Sequence, residues 1–263
     1  MTEMRSFLVT GLLALLFACP PPARDQEQAA APSPADTLAT DIVTEIPDEA
    51  IPLPEKQEFL PDTSELERTI IRQGLVNILS IDPEIQIDVK YSTEDNFMGE
   101  DLYGDYASCY LQPVVAKMLA QAQQHVRENH PDLNLLIFDC VRPRSVQYKM
   151  WDLVKGTAKQ EYVAPPRAGS MHNYGAAIDL GLVHHVSGLV DMGTAYDFCG
   201  LVAQPRHEMD FLKKGQLNQQ QIDNGRILRA AMRKAGFRGI LSEWWHFDAF
   251  DSDEVRRRFK LVE

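Results

Sequence analysis

The chain has 263 residues, 44% of them hydrophobic, and a formal net charge of −12. That length and composition allow one domain of ordinary size with appendages and exclude a wholly disordered chain. The charge is unevenly placed: residues 20–67 hold 12 acidic against two basic side chains, and residues 68–263 hold 25 against 23, so the body of the chain lacks the basic excess that nucleic-acid binding requires.

Residues 1–18 read as a signal peptide. Arg5 precedes an apolar stretch from Phe7 to Phe17, broken only by Thr10 and Gly11, which suits a signal core and is short for a transmembrane helix. Leu16-Phe17-Ala18-Cys19 resembles the bacterial lipobox. That resemblance implies cleavage before Cys19 and lipidation of it, hence a periplasmic, membrane-anchored lipoprotein of the cell envelope. An ordinary secretory signal with a chance cysteine is the alternative. Residues 19–67 hold nine of the 16 prolines among Ala, Asp and Glu. Such a segment buries too little apolar surface to offset its ordering entropy, so it reads as a disordered acidic tether; Ile51 to Leu60 could instead pack as a short arm. Residues 68–263 form the folded domain.

Within that domain, Ile85 to Tyr91 alternates apolar and polar residues and predicts a half-buried strand. Gln112 to Glu128 carries Val114, Val115, Met118, Leu119, Ala122 and Val126 at helical spacing, with Pro131 beyond its end. Leu133 to Phe138 reads as a buried strand, Ser145 to Val154 as a helix and Ala176 to Val183 as another strand. Asn218 to Ala235 reads as a helix stopped by Gly236, and the aromatic run Trp244 to Phe247 as a strand. Strands and helices mix without regular βαβ alternation, which predicts an α+β domain with a central antiparallel sheet flanked by helices. Cys109, Cys140 and Cys199 are compatible with one disulfide, whose pairing the sequence leaves open.

Three segments carry chemistry. Ser170-Met171-His172-Asn173-Tyr174-Gly175-Ala176-Ala177-Ile178-Asp179 puts a histidine just before a strand and an aspartate inside it. If residues 177–179 are extended, Ala177 and Asp179 share one side, Ile178 faces the core, and Gly175 and the alanines leave room there. Glu243-Trp244-Trp245-His246 supplies a third ligand and, three residues earlier, a carboxylate. Two His and one Asp leave the fourth position of a zinc ion open, which is the catalytic pattern. Asp139-Cys140-Val141-Arg142-Pro143 ends a predicted strand with a guanidinium placed to meet an oxyanion, and Asp139 could orient it or bind a substrate ammonium. Each piece alone is equally compatible with a structural role.

Together the three segments resemble the D-alanyl-D-alanine dipeptidases of the VanX type, in the M15 group of zinc peptidases. The S-x-H-x-x-G-x-A-x-D, E-W-W-H and D-x-x-R-P segments carry the resemblance. So do Tyr91 to Gly99 (Y-S-T-E-D-N-F-M-G), Asp191 to Thr194 followed by Tyr196-Asp197, and the helix from Asn224 to Phe237. It covers about residues 75–260 and departs at Cys140 and Ser92. It implies a Hedgehog/DD-peptidase-like fold. It implies one Zn2+ held by His172, Asp179 and His246, Glu243 as general base and acid, and Arg142 as transition-state stabiliser. Ser170, Asp139, Tyr91 and Asp197 are candidates for gripping the ends of a D-Ala-D-Ala or similar substrate. Carboxypeptidase or endopeptidase action on longer peptidoglycan peptides, or a zinc-binding lipoprotein without activity, are the alternatives. The remaining histidines, among them His184, His185 and His207, are expected in turns and at the surface.

Overall fold

The computed structural model describes residues 63–263; the stretch expected to be a signal peptide, Cys19 and residues 19–62 of the expected tether lie outside the described residues. The first described helix, α1 (Glu65–Arg72), starts inside the stretch assigned to the tether. Ser64 caps it by accepting from the Glu67 amide, and the Tyr110 hydroxyl donates to the Glu67 carboxylate at 2.7 Å. The folded part therefore begins before residue 68.

After α1 come β1 (Val76–Asn77), β2 (Gln86–Ile87), β3 (Tyr110–Leu111), α2 (Pro113–Asn129), β4 (Leu133–Asp139) and α3 (Arg144–Val154). The second half holds β5 (Ala177–His184), β6 (Gly188–Leu189), α4 (Glu208–Lys213), α5 (Gln219–Lys234), β7 (Arg238–Gly239), β8 (His246–Asp248) and α6 (Ser252–Arg258). The main sheet runs β2-β4-β5-β8-β7, with β6 also paired to β5, while β1 and β3 pair separately. The expectation of an antiparallel sheet needs one correction: β2 lies parallel to β4, while the other pairs are antiparallel. A long connection through α2 separates those two strands, which is what a parallel pair needs.

The strand expected over Ile85 to Tyr91 is reduced to β2. Ile85, Val89 and Tyr91 are buried as the alternation predicts, but β2 sits at the sheet edge and the chain turns into a 3-10 helix at Lys90–Ser92. Alternating burial survives there without a ladder to match it.

On one face of the sheet, α2 and α5 pack against the side of β5 that carries its even-numbered residues. Ile178, Leu180 and Leu182 are fully buried among Met118, Leu119, Leu228 and Met232, each worth roughly 1.5–3 kcal/mol of burial. Asn218 caps α5 through a reciprocal box with Gln221. A second core under α3 is rich in tyrosine and gathers Tyr91, Tyr103, Tyr106, Val146 and Met150. Cys109 and Cys140 form a disulfide with Cα atoms 5.5 Å apart; Cys199 takes no part in it.

Gly175 opens no space at the site, contrary to the sequence reading. It sits at φ 63°, ending the 3-10 turn Met171–Tyr174, and a Cβ there would lie 2.6 Å from Leu75 Cδ2. Both the left-handed backbone and the close approach of Leu75 demand glycine. Gly175→Ala is expected to lower stability by about 1–3 kcal/mol, read as a lower urea midpoint at unchanged slope. An unmoved midpoint would show that the turn relaxes freely.

Candidate metal centre and catalytic cavity

A row of facing residues across three strands carries Asp139, Asp179 and His246. Asp139 stands opposite Asp179, and Asp179 opposite His246. The pairing of β4 with β5 shifts between Ile137 and Asp139. Without that bulge Phe138 would face Asp179; the extra residue moves Asp139 into the row. Phe138 packs instead against Tyr196, ring centroids 4.9 Å apart, and against Trp244.

His172 enters from the 3-10 turn. Ser170 caps this turn, its Oγ accepting from the His172 amide at 3.3 Å, while the Asn173 side chain accepts from the Ser170 amide at 2.7 Å. His172 Nε2, His246 Nδ1 and one Asp179 oxygen converge. The two nitrogens are 3.2 Å apart, and Asp179 Oδ1 lies 3.3 Å from His172 Nε2 and 2.9 Å from His246 Nδ1.

The partners on the far sides decide which lone pairs face inward. His172 Nδ1 is 2.6 Å from the Cys140 carbonyl oxygen, which can only accept, so Nδ1 carries the hydrogen. His246 Nε2 is 3.2 Å from Asp248 Oδ1 and carries its hydrogen for the same reason. The Tyr196 hydroxyl donates to Asp179 Oδ2 at 3.0 Å and leaves Oδ1 for the centre. With both rings neutral, three acceptors meet with no donor between them, an arrangement that a divalent cation satisfies. Burial opposes a charge on His246, yet the carboxylates of Asp179 and Asp248 outweigh burial and hold its pKa well above the ordinary value. Burial would raise the Asp179 carboxyl, but the two histidines hold it well below the usual carboxylate range. Positive charge belongs at this point. Among the described residues, this trio is the one cluster of His, Cys, Asp and Glu able to hold an ion.

The trio opens into a cavity of about 190 Å³, also lined by Glu243, Arg142, Ser170, Tyr91, Asp197 and Trp245. Glu243 comes from a bent stretch just before β8. Burial pushes its carboxyl up, as does the charge of Asp179, against His246, His172 and Arg142. Arg142 is held rigidly. Its Nε and Nη2 donate to Asp139 Oδ2 at 3.1 and 2.6 Å, and its Nη1 donates to Gln147 Oε1 at 3.3 Å. Its guanidinium also lies over the Tyr91 ring, 5.1 Å from the centroid. Burial favours the neutral form of Arg142, but Asp139 keeps it firmly charged.

Asp139 does not line the cavity, which corrects its assignment to substrate binding. It is fully buried, and its other oxygen accepts from the Tyr103 hydroxyl at 2.6 Å and the Cys140 amide at 2.9 Å. Its place is behind Arg142. Asp197 does line the cavity, at φ 59°. Its Oδ2 accepts from the Tyr91 hydroxyl at 3.0 Å and the Phe97 amide at 3.3 Å. Burial and the charge of Asp179 push its pKa up to about 8.

Sequence reasoning missed Asp248, Tyr196, Gln147 and the Cys140 carbonyl. His-x-Asp at 246–248 was readable, since alternate strand residues share a face. Tyr196 stands beside Asp197 in one of the motif segments, where the neighbouring carboxylate is the more conspicuous group. A backbone carbonyl leaves no trace in residue type. His184 caps the turn after β5 by accepting from the Val186 and Ser187 amides, and His207 ends a short 3-10 turn; neither lines the cavity.

The peptidase family M15, described as D-Ala-D-Ala dipeptidase, matches residues 72–262. The chain is also 32% identical over 174 residues to the D-alanyl-D-alanine dipeptidase of Escherichia coli (strain K12), covering 66% of this chain and 83% of that protein.

Asp139→Ala strands a buried guanidinium and is expected to cost about 3–5 kcal/mol of stability; a loss under 1 kcal/mol in urea unfolding would contradict the buried pair. Asp197 gives a pH prediction for the metal-free protein. Between the ordinary carboxylate value and about 8 the folded state keeps a proton that the unfolded chain has released. Stability therefore falls as pH rises through that window. Asp197→Asn should flatten the decline, and an unchanged slope would contradict it.

Proposed function

Because the chain belongs to the M15 peptidase family of D-Ala-D-Ala dipeptidases, we propose that it is a zinc-dependent dipeptidase that hydrolyses D-Ala-D-Ala or a related small dipeptide in the cell envelope. The observation that carries this reading is that the three-acceptor centre, Glu243 and Arg142 line one small cavity. Its volume of about 190 Å³ falls below the roughly 300–1,000 Å³ of pockets for drug-sized ligands, which favours a substrate of two small residues over a long wall peptide.

His172, Asp179 and His246 would hold the zinc ion. When bound there, zinc lowers the pKa of its water to about 7 and polarises a carbonyl. Glu243 accepts the proton of the attacking water and returns it to the leaving amine. Its upward shift suits a group that must do both near neutrality. Arg142, fixed by Asp139 and Gln147 before substrate arrives, faces the negative charge that develops on the carbonyl oxygen and needs no reorganisation to meet it. Asp197 has one oxygen occupied by Tyr91 and Phe97; a substrate ammonium at its other oxygen would take the place of the proton that the empty site keeps and lower the raised pKa. Ser170, tied to the His172 turn, also lines the cavity and is the group offered to the opposite end of the substrate.

The envelope assignment rests on the lipobox-like Cys19, outside the described residues, and fits the Cys109–Cys140 disulfide, which needs an oxidising compartment.

Assay of the zinc-loaded protein on D-Ala-D-Ala beside a wall pentapeptide tests the reading: turnover of the dipeptide alone is expected, and cleavage of only the longer peptide would reject it. Glu243→Gln should lower kcat at least about 100-fold with zinc content unchanged. Equal turnover by wild type and variant would remove Glu243 from the chemistry.

A further inference from the structure

The Cys109–Cys140 disulfide has no role in the chemistry above, yet it joins the frame of the metal centre. Cys140 lies between Asp139 and Arg142 at the point where the sheet stops supporting the chain, because pairing of β4 with β5 ends at Asp139. From there residues 140–142 hang on single hydrogen bonds. The Val141 amide donates to the Tyr110 carbonyl at 3.2 Å, the Arg142 amide to the His172 carbonyl at 3.1 Å, and the Asn173 side chain to the Arg142 carbonyl at 2.7 Å. The Cys140 amide points back to the Asp139 side chain, and its carbonyl is the acceptor that sets the orientation of the His172 ring.

The other half of the bond stands on firmer ground. The Cys109 carbonyl accepts from the Ile78 amide at 3.0 Å, and Tyr110–Leu111 pair with Val76–Asn77. Gln112 then reaches the far end of the metal-bearing turn, its amide donating to the Gly175 carbonyl at 3.0 Å and its side chain to the Tyr174 carbonyl at 2.8 Å. Residues 109–112 thus form a rail that touches both the Cys140 segment and the His172 turn, and the sulfur–sulfur bond is the covalent tie between rail and segment.

The geometry points to this disulfide as a positioning bond for the metal centre: it fixes the Cys140 carbonyl that orients His172 and the backbone from which Arg142 projects, so that ion retention and turnover depend on its being formed. Cys140 is 3% exposed and Cys109 fully buried, so the bond acts through geometry and touches no substrate. The inference rests on the dipeptidase reading only for its kinetic part.

The test compares the wild type with Cys109→Ala/Cys140→Ala and, in case that variant does not fold, with wild type reduced by a phosphine. Each is checked for a cooperative melt and measured well below it. Three quantities are read: the rate at which zinc passes to a chelator, kcat and KM on D-Ala-D-Ala, and the imidazole 15N shifts of His172 in the zinc-free protein. Loss of the bond should speed zinc release about tenfold, at the lower end of the 10–100-fold that outer partners of metal ligands typically contribute. It should lower kcat about tenfold at a KM within twofold, and move the His172 shifts away from a single tautomer with hydrogen on Nδ1. A folded, bond-free protein with zinc release and kcat within twofold of wild type would overturn the inference. So would a change confined to KM, which would place the effect in the substrate cavity. If oxidised wild type loaded with zinc turns over no peptide, the dipeptidase reading fails, while zinc release and the His172 shifts still decide the role of the disulfide.

Discussion

Three lone pairs pointing at one another set the terms for this structure. His172 Nε2, His246 Nδ1 and Asp179 Oδ1 come together within 2.9–3.3 Å, and each is turned inward by a partner on its far side: the Cys140 carbonyl, the Asp248 carboxylate and the Tyr196 hydroxyl. Acceptors left facing each other in a buried place repel, and a cation converts that repulsion into binding energy. The sheet register and the capped turn at Ser170 serve to place these atoms.

The second constraint is the Arg142–Asp139 pair. Burying two charges is costly unless the geometry is good and the remaining hydrogen-bonding capacity is met. Here Asp139 meets both nitrogens of one guanidinium edge as well as Tyr103 and the Cys140 amide, and Gln147 takes a further donor while its own amide is tied to the Ala164 carbonyl. The pair contributes a charged group that cannot move, a property more useful to catalysis than to stability. Because the same short segment carries Asp139, the Cys140 carbonyl and Arg142, the two constraints are mechanically joined.

Elements with a strong internal signal were legible in the sequence. The helix periodicity behind α2 and α5, the apolar runs of β4 and β5 and the stop at Gly236 all reappear within a few residues. The two-residue strands β1, β3, β6 and β7 have no period to read and exist only because neighbours pair with them. Helix α1 hid in an acidic stretch, where its cap at Ser64 stood out less than the surrounding charge. At the site, residue types and spacing left a structural role equally open, and it was the family resemblance of the combined motifs that singled out His172, Asp179, His246, Glu243 and Arg142. The register that sets Asp179 opposite His246 and the bulge that hides Asp139 behind Arg142 are tertiary facts, and reading Gly175 as empty space mistook a backbone requirement for a cavity.

X-ray anomalous scattering at the zinc edge, from crystals grown with zinc, tests the central claim most directly. One peak is expected within bonding distance of His172 Nε2, Asp179 Oδ1 and His246 Nδ1, absent in crystals of Asp179→Ala. An empty trio in the wild type, or a peak held by other side chains, would contradict it.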